Sequence, residues 1–291
     1  MNRFDPFGNG KLEAAIASNV EAALAEDVGS GDLTASLLSA GESVAAHVVV
    51  REEAVLCGIP WFDAVMNKLD DGIRIDWLYR EGDLMKSDSE VCRLNGPVQS
   101  ILTGERTALN FLQLLSGVAT ATREYVQLIA GTTARIYDTR KTVPGLRLAQ
   151  KYAVRVGGGE NQRLALFDAV LIKENHITAA GGIRQALEKA VQNTSVPVQI
   201  EVETLDQLKE ALSAGATSIL LDNFDLDKLK KAVAITRASG TGAVLEASGG
   251  IDRHTVRAVA GTGVDRISIG ELTKHVKATD YSMRIVSSHG R

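Results

Sequence analysis

From Ala134 onward short β-rich runs alternate with helical stretches, and this alternation constrains the fold more than any other feature. The runs are ARIYD (134–138), AVLIK (169–173), VQIEVE (198–203), TSILLD (217–222), AVLEAS (243–248) and DRISIG (265–270). Helical patterns lie between them, for example over 205–215 and 225–240. Strand, helix and strand in succession build a parallel sheet with right-handed crossovers. The count and spacing of the runs predict an α/β barrel, incomplete, with fewer than eight strands. An open doubly wound sheet is the alternative, because periodicity does not show closure.

In a parallel barrel, ligands bind at the carboxyl ends of the strands. Those ends read Thr139-Arg140-Lys141, Lys173-Glu174-Asn175-His176, Glu203, Asp222-Asn223, Ser248-Gly249-Gly250 and Gly270-Glu271. One rim therefore carries cations, carboxylates and two glycine turns. The turns precede helices expected near Asp252 and Leu272. Backbone amides unobstructed by a Cβ bind phosphate, and barrels place that site after their last two strands. Glu203 and Asp222 end neighbouring strands, a placement suited to Mg²⁺ bridging phosphate oxygens or to ion pairs with the rim lysines.

The chain has a formal net charge of −4, which does not favour nucleic acid or anionic membrane as partner. Between Arg135 and Arg163, however, Arg135, Arg140, Lys141, Arg147, Lys151, Arg155 and Arg163 face only Asp138 and Glu160. A basic island in an acidic chain points to a small polyanionic ligand held at one place. Arg147, Lys151 and Arg155 repeat at i, i+4, i+8 and equally fit one solvated helix face. No apolar run reaches the roughly 18 residues that span a bilayer. The start, from Met1 to Lys11, has no apolar core of a secretory signal. Cys57 and Cys92 lack partners at metal spacing and read as buried structural thiols. A cytoplasmic location fits these features.

The part before Ala134 does not alternate in this way. Residues 11–27 have helical spacing, 43–56 and 73–80 alternate like strands, and a long helix is expected from about Val98 to Ala130. This pattern predicts a small N-terminal α+β domain over 1–115 and a barrel domain over 116–275.

Specific stretches then carry a resemblance. TRKTVPGLRLAQKYAVRVGGGENQRLALFDAVLIKENHI (139–177) resembles quinolinate phosphoribosyltransferase, also called nicotinate-nucleotide pyrophosphorylase (carboxylating). So do EDVGSGDLT (26–34), GERTALNFLQLLSGVAT (104–120), EVET (201–204), LLDNF (220–224), EASGGI (246–251) and GVDRISIGELTKH (263–275), in the same order along nearly the whole chain. The resemblance implies a pentosyltransferase of de novo NAD synthesis. Such an enzyme makes nicotinate mononucleotide, carbon dioxide and pyrophosphate from quinolinate and phosphoribosyl pyrophosphate, with Mg²⁺. It also implies an α+β sandwich joined to an incomplete α/β barrel, a homodimer, and a tail over 276–291 that packs back on the first domain with Ser287 to Arg291 frayed.

By resemblance, Arg140, Arg163 and Lys173 line a pocket for the quinolinate dicarboxylate, to which the bidentate fork of arginine is suited. Arg106, on the long helix of the first domain, reaches the partner subunit's barrel. Lys141 contacts phosphoribosyl pyrophosphate near the reacting ring. The 5′-phosphate rests on Ser248, Gly249, Gly250 and Gly270. The pyrophosphate is held by Mg²⁺ near Glu203 and Asp222, with Lys141 and His275. Lys141, Lys173, Glu203 and Asp222 are the catalytic candidates. One position departs from the family pattern: Gln162 stands where many members have the histidine of Asn-His-Arg. Its amide donates hydrogen bonds but brings no positive charge. His176, the nearest remaining histidine, fits a structural role as well as a catalytic one. Three other readings stand beside this one: a transport-associated relative of the same fold, a nicotinate phosphoribosyltransferase, and a phosphate-ligand sensor that binds without turnover.

Overall fold

The protein is described here from a computed structural model that covers residues 7, 8, 10–39 and 41–286. The expected fraying of Ser287 to Arg291 lies outside them. In chain order the elements are α1 (Lys11–Asp27), β1 (Ser43–Val50), β2 (Ala54–Val55), α2 (Ile59–Leu69), β3 (Arg74–Trp77), β4 (Leu84–Met85), β5 (Ser89–Pro97), α3 (Val98–Leu128), β6 (Arg135–Tyr137), α4 (Arg147–Gly157), β7 (Val170–Ile172) and α5 (Glu174–Ala180). They continue with α6 (Ile183–Asn193), β8 (Val198–Val202), α7 (Leu205–Ser213), β9 (Ser218–Asp222), α8 (Leu226–Ser239), β10 (Val244–Ser248), α9 (Val256–Ala260), β11 (Arg266–Ser268), α10 (Glu271–Lys274) and β12 (Tyr281–Val286). Two compact units result: 1–123 with 142–158 and 273–291, and 124–141 with 159–272. Residues 115 and 116, where the sequence reading puts the domain boundary, both lie inside α3.

The first unit is built on an antiparallel sheet of order β12-β1-β5-β3. Along β1 the alternation places Ala46, Val48 and Val50 in the core. The tail strand β12 pairs antiparallel with β1, from Ala45↔Val286 to Val50↔Tyr281. Helix α2 buries Trp61, Phe62, Val65 and Met66 on one stripe. Trp61 meets Tyr152 of α4 with ring centroids 5.4 Å apart. Helix α4 is therefore a core helix, not the solvated face that Arg147, Lys151 and Arg155 allowed: Lys151 is fully buried. Gly157 makes the close packing with α3 possible, because a Cβ there would lie 2.5 Å from the Ala119 carbonyl oxygen. Cys57 and Cys92 are both free and buried.

The second unit is a six-stranded parallel sheet of order β6-β11-β10-β9-β8-β7. The first strand pairs with the last, and the other neighbours follow chain order. A doubly wound sheet reverses its order at a switch point; this one does not, so the sheet rolls into a barrel. Among the described residues no ladder joins β6 to β7, so the barrel is incomplete there. On the free side of β6, the Glu160 N–H donates to the Ile136 carbonyl (2.8 Å) and Asp138 N–H to the Glu160 carbonyl (3.1 Å). Leu208, Ala211 and Leu212 of α7, and Leu229, Ala232 and Val233 of α8, belong to the core of this unit. No helix among the described residues is long and apolar enough to cross a membrane.

Candidate active site at the carboxyl end of the barrel strands

The end of β6 organises the cationic part of the rim. Asp138 is fully buried and its carboxylate accepts the Asn161 side-chain amide (2.7 Å) and the Gln162 backbone N–H (2.8 Å). These bonds pin the 159–163 segment beside Thr139-Arg140-Lys141. Arg163 donates from Nη1 to the Ala169 carbonyl at 3.0 Å. Partial burial lowers its proton affinity, the nearby Arg140 charge lowers it further, and Asp168 partly offsets both. Arg140 Nε is buried with no hydrogen-bond partner among the described residues. A buried guanidinium nitrogen without an acceptor, beside a second guanidinium, is a place that an anion would complete.

Lys173 follows β7. Its backbone N–H donates to His176 Nδ1 at 3.0 Å, so His176 is a local anchor at the start of α5. The Lys173 ammonium lies 3.3 Å from Glu201 Oε2. Glu201, half-buried on β8, was not among the sequence candidates, which had only Glu203. Glu203 is exposed at the strand end. There the Thr204 side chain accepts from Gln207 N (3.2 Å) while Gln207 Oε1 accepts from Glu203 N (2.7 Å), a reciprocal cap that starts α7. Glu174, Ile177, Thr178, Glu201, Glu203 and Gln207 line one cleft.

Asp222 and Ser248 stand opposite each other on β9 and β10. Asn223 follows in the left-handed region (φ 53°); its N–H donates to the Ser248 carbonyl at 2.9 Å and its side-chain amide to Asp222 Oδ2 at 2.8 Å. Gly249, at φ 98°, packs on Asn223 so closely that a Cβ would lie 2.1 Å from Asn223 Oδ1. The helices expected after the glycine turns are short. A turn on Asp252, which accepts from His254 N and Thr255 N at 2.9 Å each, delays α9 to Val256, and α10 has four residues. Any phosphate here meets turn amides rather than a long helix dipole. A Cβ on Gly270 would lie 3.2 Å from Lys141 Cδ, so the Lys141 side chain lies over this turn.

The second unit thus brings Arg140, Lys141, Gln162, Arg163, Lys173, Glu203, Asp222, Ser248, Gly249, Gly250 and Gly270 to the carboxyl ends of its strands. Arg106 and His275 belong to the first unit and are exposed. Two further features lay outside the sequence reading. The Tyr125 hydroxyl donates to the Glu271 carboxylate directly after Gly270, and Arg253 Nη1 lies 2.6 Å from Glu124 Oε2. Inside the barrel, Glu246 of β10 is fully buried and accepts the side-chain amides of Gln162 and Gln199, the latter at 3.0 Å. Strand alternation is the signal for both Glu201 and Glu246. Residues 199, 201 and 203 share one face of β8, as 246 and 248 do of β10, but those faces are only assigned once the strand bounds are known.

Among the described residues no three His, Cys, Asp or Glu side chains form a metal cage. Glu203 and Asp222 at neighbouring strand ends suit the other mode of Mg²⁺ binding, in which one or two carboxylates share the ion with substrate phosphates and water.

Two family models match the chain: the quinolinate phosphoribosyl transferase N-terminal domain over residues 32–116 and its C-terminal domain over 118–284. A nicotinate-nucleotide pyrophosphorylase [carboxylating] of Mycobacterium leprae is 38% identical, covering 92% of this chain and 96% of its own. The solved nicotinate-nucleotide pyrophosphorylase of Francisella tularensis superposes with a TM-score of 0.92 at 45% identity, covering 98% of this chain and 100% of its own. That of Ehrlichia chaffeensis superposes with a TM-score of 0.88 at 38% identity, covering 93% and 98%.

Proposed function

We propose that this chain, which belongs to the quinolinate phosphoribosyltransferase family, runs the family reaction at the carboxyl rim of its barrel. It is a phosphoribosyltransferase of NAD biosynthesis, a carboxylating nicotinate-nucleotide pyrophosphorylase. Quinolinate and phosphoribosyl pyrophosphate enter, and nicotinate mononucleotide, pyrophosphate and carbon dioxide leave.

The unpartnered Arg140 Nε beside Arg163 is the observation that carries the assignment of the rim. Two guanidiniums near enough to feel each other's charge repel until an anion lies between them, and a dicarboxylate supplies two anionic arms. Lys173 adds a third cation from β7, and Gln162 borders the same pocket. The 5′-phosphate lies against Ser248, Gly249, Gly250 and Gly270, with Lys141 extending over the last turn. Lys141 faces the pyrophosphate; His275, the other candidate for it by resemblance, lies on the first unit. Glu203 and Asp222 would hold Mg²⁺, which would supply neutralisation of the charge that gathers on the leaving group.

The chemistry asks mainly for position. The bond from ribose C1′ to the pyrophosphate oxygen breaks, and its electron pair leaves with pyrophosphate. The quinolinate ring nitrogen then gives its lone pair to C1′. The resulting pyridinium stabilises the electron pair left at C2 when carbon dioxide departs, and that pair then takes up a proton to form the C2–H bond. Arg140, Arg163 and Lys173 hold the ring so that its nitrogen faces C1′, and the rim cations balance the developing charges. No covalent intermediate with the protein is needed.

The protein acts as a homodimer in which Arg106 reaches the partner's site. Arg106 is exposed on α3, in a cleft shared with Asp27, Asp32 and Leu33. Leu33 and Leu37 are 87% and 83% exposed, apolar surface that a second copy would cover. A cytoplasmic location, with no nucleic-acid or membrane partner, belongs to the same reading.

The test incubates purified protein with phosphoribosyl pyrophosphate and Mg²⁺, plus either quinolinate or nicotinate, and follows nicotinate mononucleotide and carbon dioxide. Product from quinolinate with matching carbon dioxide is expected. Product from nicotinate alone moves the substrate to the monocarboxylate. No product from either, with phosphoribosyl pyrophosphate still bound, overturns the enzymatic reading.

A further inference from the structure

The interior of this barrel is not wholly apolar. Glu246, in the middle of β10, has no exposed surface. Both of its carboxylate oxygens are taken by amides: Oε1 accepts from Gln162 Nε2, and Oε2 accepts from Gln199 Nε2 at 3.0 Å. The triangle closes between the two glutamines, with Gln162 Nε2 lying 3.3 Å from Gln199 Oε1. No cation among the described residues pairs with Glu246. A buried carboxylate is costly to desolvate, and here hydrogen bonds alone offset that cost.

The residue gripped by this triangle stands next to Arg163. The Gln162 side-chain carbonyl accepts the Arg163 backbone N–H at 3.3 Å, and the Gln162 backbone N–H goes to buried Asp138 at 2.8 Å. Residue 162 is therefore held by one carboxylate through its backbone and by another through its side chain. Both N–H groups of the Gln162 amide are directed at Glu246 and Gln199, so its donors serve the protein rather than a ligand.

We propose that Glu246, with Gln199, is a positioning group for the quinolinate pocket. It fixes the Gln162 side chain and, through residue 162, sets the place of the Arg163 guanidinium beside Arg140. This rests on the reading of Arg140 and Arg163 as the dicarboxylate pocket. It assigns Gln162 a supporting task and gives Glu246 and Gln199 one for the first time. It also explains why an amide serves at this position. Residue 162 must donate to a carboxylate and to a neighbouring amide oxygen at once, and a primary amide has two N–H groups to do so.

The experiment compares steady-state kinetics of the full-length wild type, Glu246→Gln, Gln199→Leu, Gln162→Ala and the double variant Glu246→Gln/Gln162→Ala. In Glu246→Gln one end of the new amide is a donor facing a donor, so the triangle cannot close. The expected result is a KM for quinolinate raised ~10-fold or more, with the KM for phosphoribosyl pyrophosphate within about twofold of wild type, the pattern of lost ground-state positioning. Gln199→Leu leaves the carboxylate in place and moves the same constant by a smaller factor. The double variant falls no further than the worse single one, because the two residues act as a unit. Equal rises in both KM values, unchanged kinetics with only a lower melting temperature, or additive losses would each overturn the proposal. Should Glu246→Gln fail to fold, Gln199→Leu and Gln162→Ala decide it alone. A wild type without quinolinate turnover would instead overturn the underlying reading.

Discussion

Lys173 Nζ lies 3.3 Å from Glu201 Oε2, joining the end of β7 to β8 at the mouth of the barrel. The Glu201 side chain is 14% exposed and the Lys173 side chain 51%. With its lysine half open to water, the pair adds little to stability, about 1 kcal/mol. Its effect is to hold a flexible lysine at one place on the rim. Glu201→Gln is expected to leave the melting temperature nearly unchanged while raising the KM for quinolinate ~3- to 10-fold, an effect of about 1 kcal/mol. Unchanged kinetics would show that the ammonium finds its position without Glu201.

Arg140 should discriminate the two substrates. Losing a charge-assisted contact costs about 1.5–3 kcal/mol, so Arg140→Ala is expected to weaken quinolinate binding ~10- to 100-fold. Binding of phosphoribosyl pyrophosphate, read by calorimetry in the absence of quinolinate, should change little. Arg140→Lys should restore only part of the loss, since a point charge cannot replace a planar fork. Equal weakening of both substrates would remove Arg140 from the dicarboxylate pocket.

The Gly249 turn gives the opposite split. A side chain there meets Asn223 Oδ1 at 2.1 Å and a φ of 98°. Gly249→Ala is expected to cost about 1–3 kcal/mol of local strain. The KM for phosphoribosyl pyrophosphate should rise well above that for quinolinate. A urea midpoint and both KM values check it; a rise confined to quinolinate would separate this turn from the phosphate.

Arg106 can be tested without any structural measurement of the dimer. Arg106→Ala and Lys173→Ala are each expected to be inactive, and mixing them should restore up to about a quarter of the wild-type sites if subunits exchange at random and each site draws on both copies. Failure to restore activity, with exchange shown independently by labelled subunits, would place Arg106 outside the partner's site.

Glu81 makes the stability of the first unit depend on pH. It is half-buried in that unit, and its carboxylate accepts the N–H groups of Gly58 (2.9 Å) and Ile59 (3.1 Å) at the start of α2. Burial pushes its carboxyl up from the ordinary value of 4.5, against the pull of those bonds. The folded state therefore binds this proton more tightly than the unfolded chain does. Stability falls as pH rises from the ordinary value to the raised one and is level above it. Glu81→Gln should flatten this slope in urea titrations run from about pH 4 to about pH 8. Parallel slopes for the two proteins would exclude Glu81 as the source.

Much of the rim is legible in the linear sequence because buried parallel strands read as short apolar runs, and the next few residues must lie at their ends. That argument finds Arg140, Lys141, Lys173, Glu203, Asp222 and the two glycine turns. It cannot find residues whose meaning depends on which way a strand faces. Glu201 and Glu246 sit inside runs that read as ordinary strands, and only the register turns them toward the interior. Lys151 misleads for a related reason. A helix with Arg147, Lys151 and Arg155 at four-residue spacing looks solvated, yet the first unit buries α4, Lys151 included. Barrel closure is equally silent, because it rests on Ile136 pairing with Ile267 far along the chain.

That pairing bears on how the protein is made. Strand β6 waits for β11, Arg135 for Arg266, about 130 residues later. In the other unit β1 waits for β12, Ala45 for Val286. A growing chain leaves the ribosome with both sheets lacking an edge partner until almost all of it has been synthesised. At the usual pace of roughly 5–20 residues per second, β6 stays unpaired with β11 for several seconds or more. The nascent chain carries exposed strand edges through that interval, so its exposure to chaperones and to aggregation is set by the clock of translation.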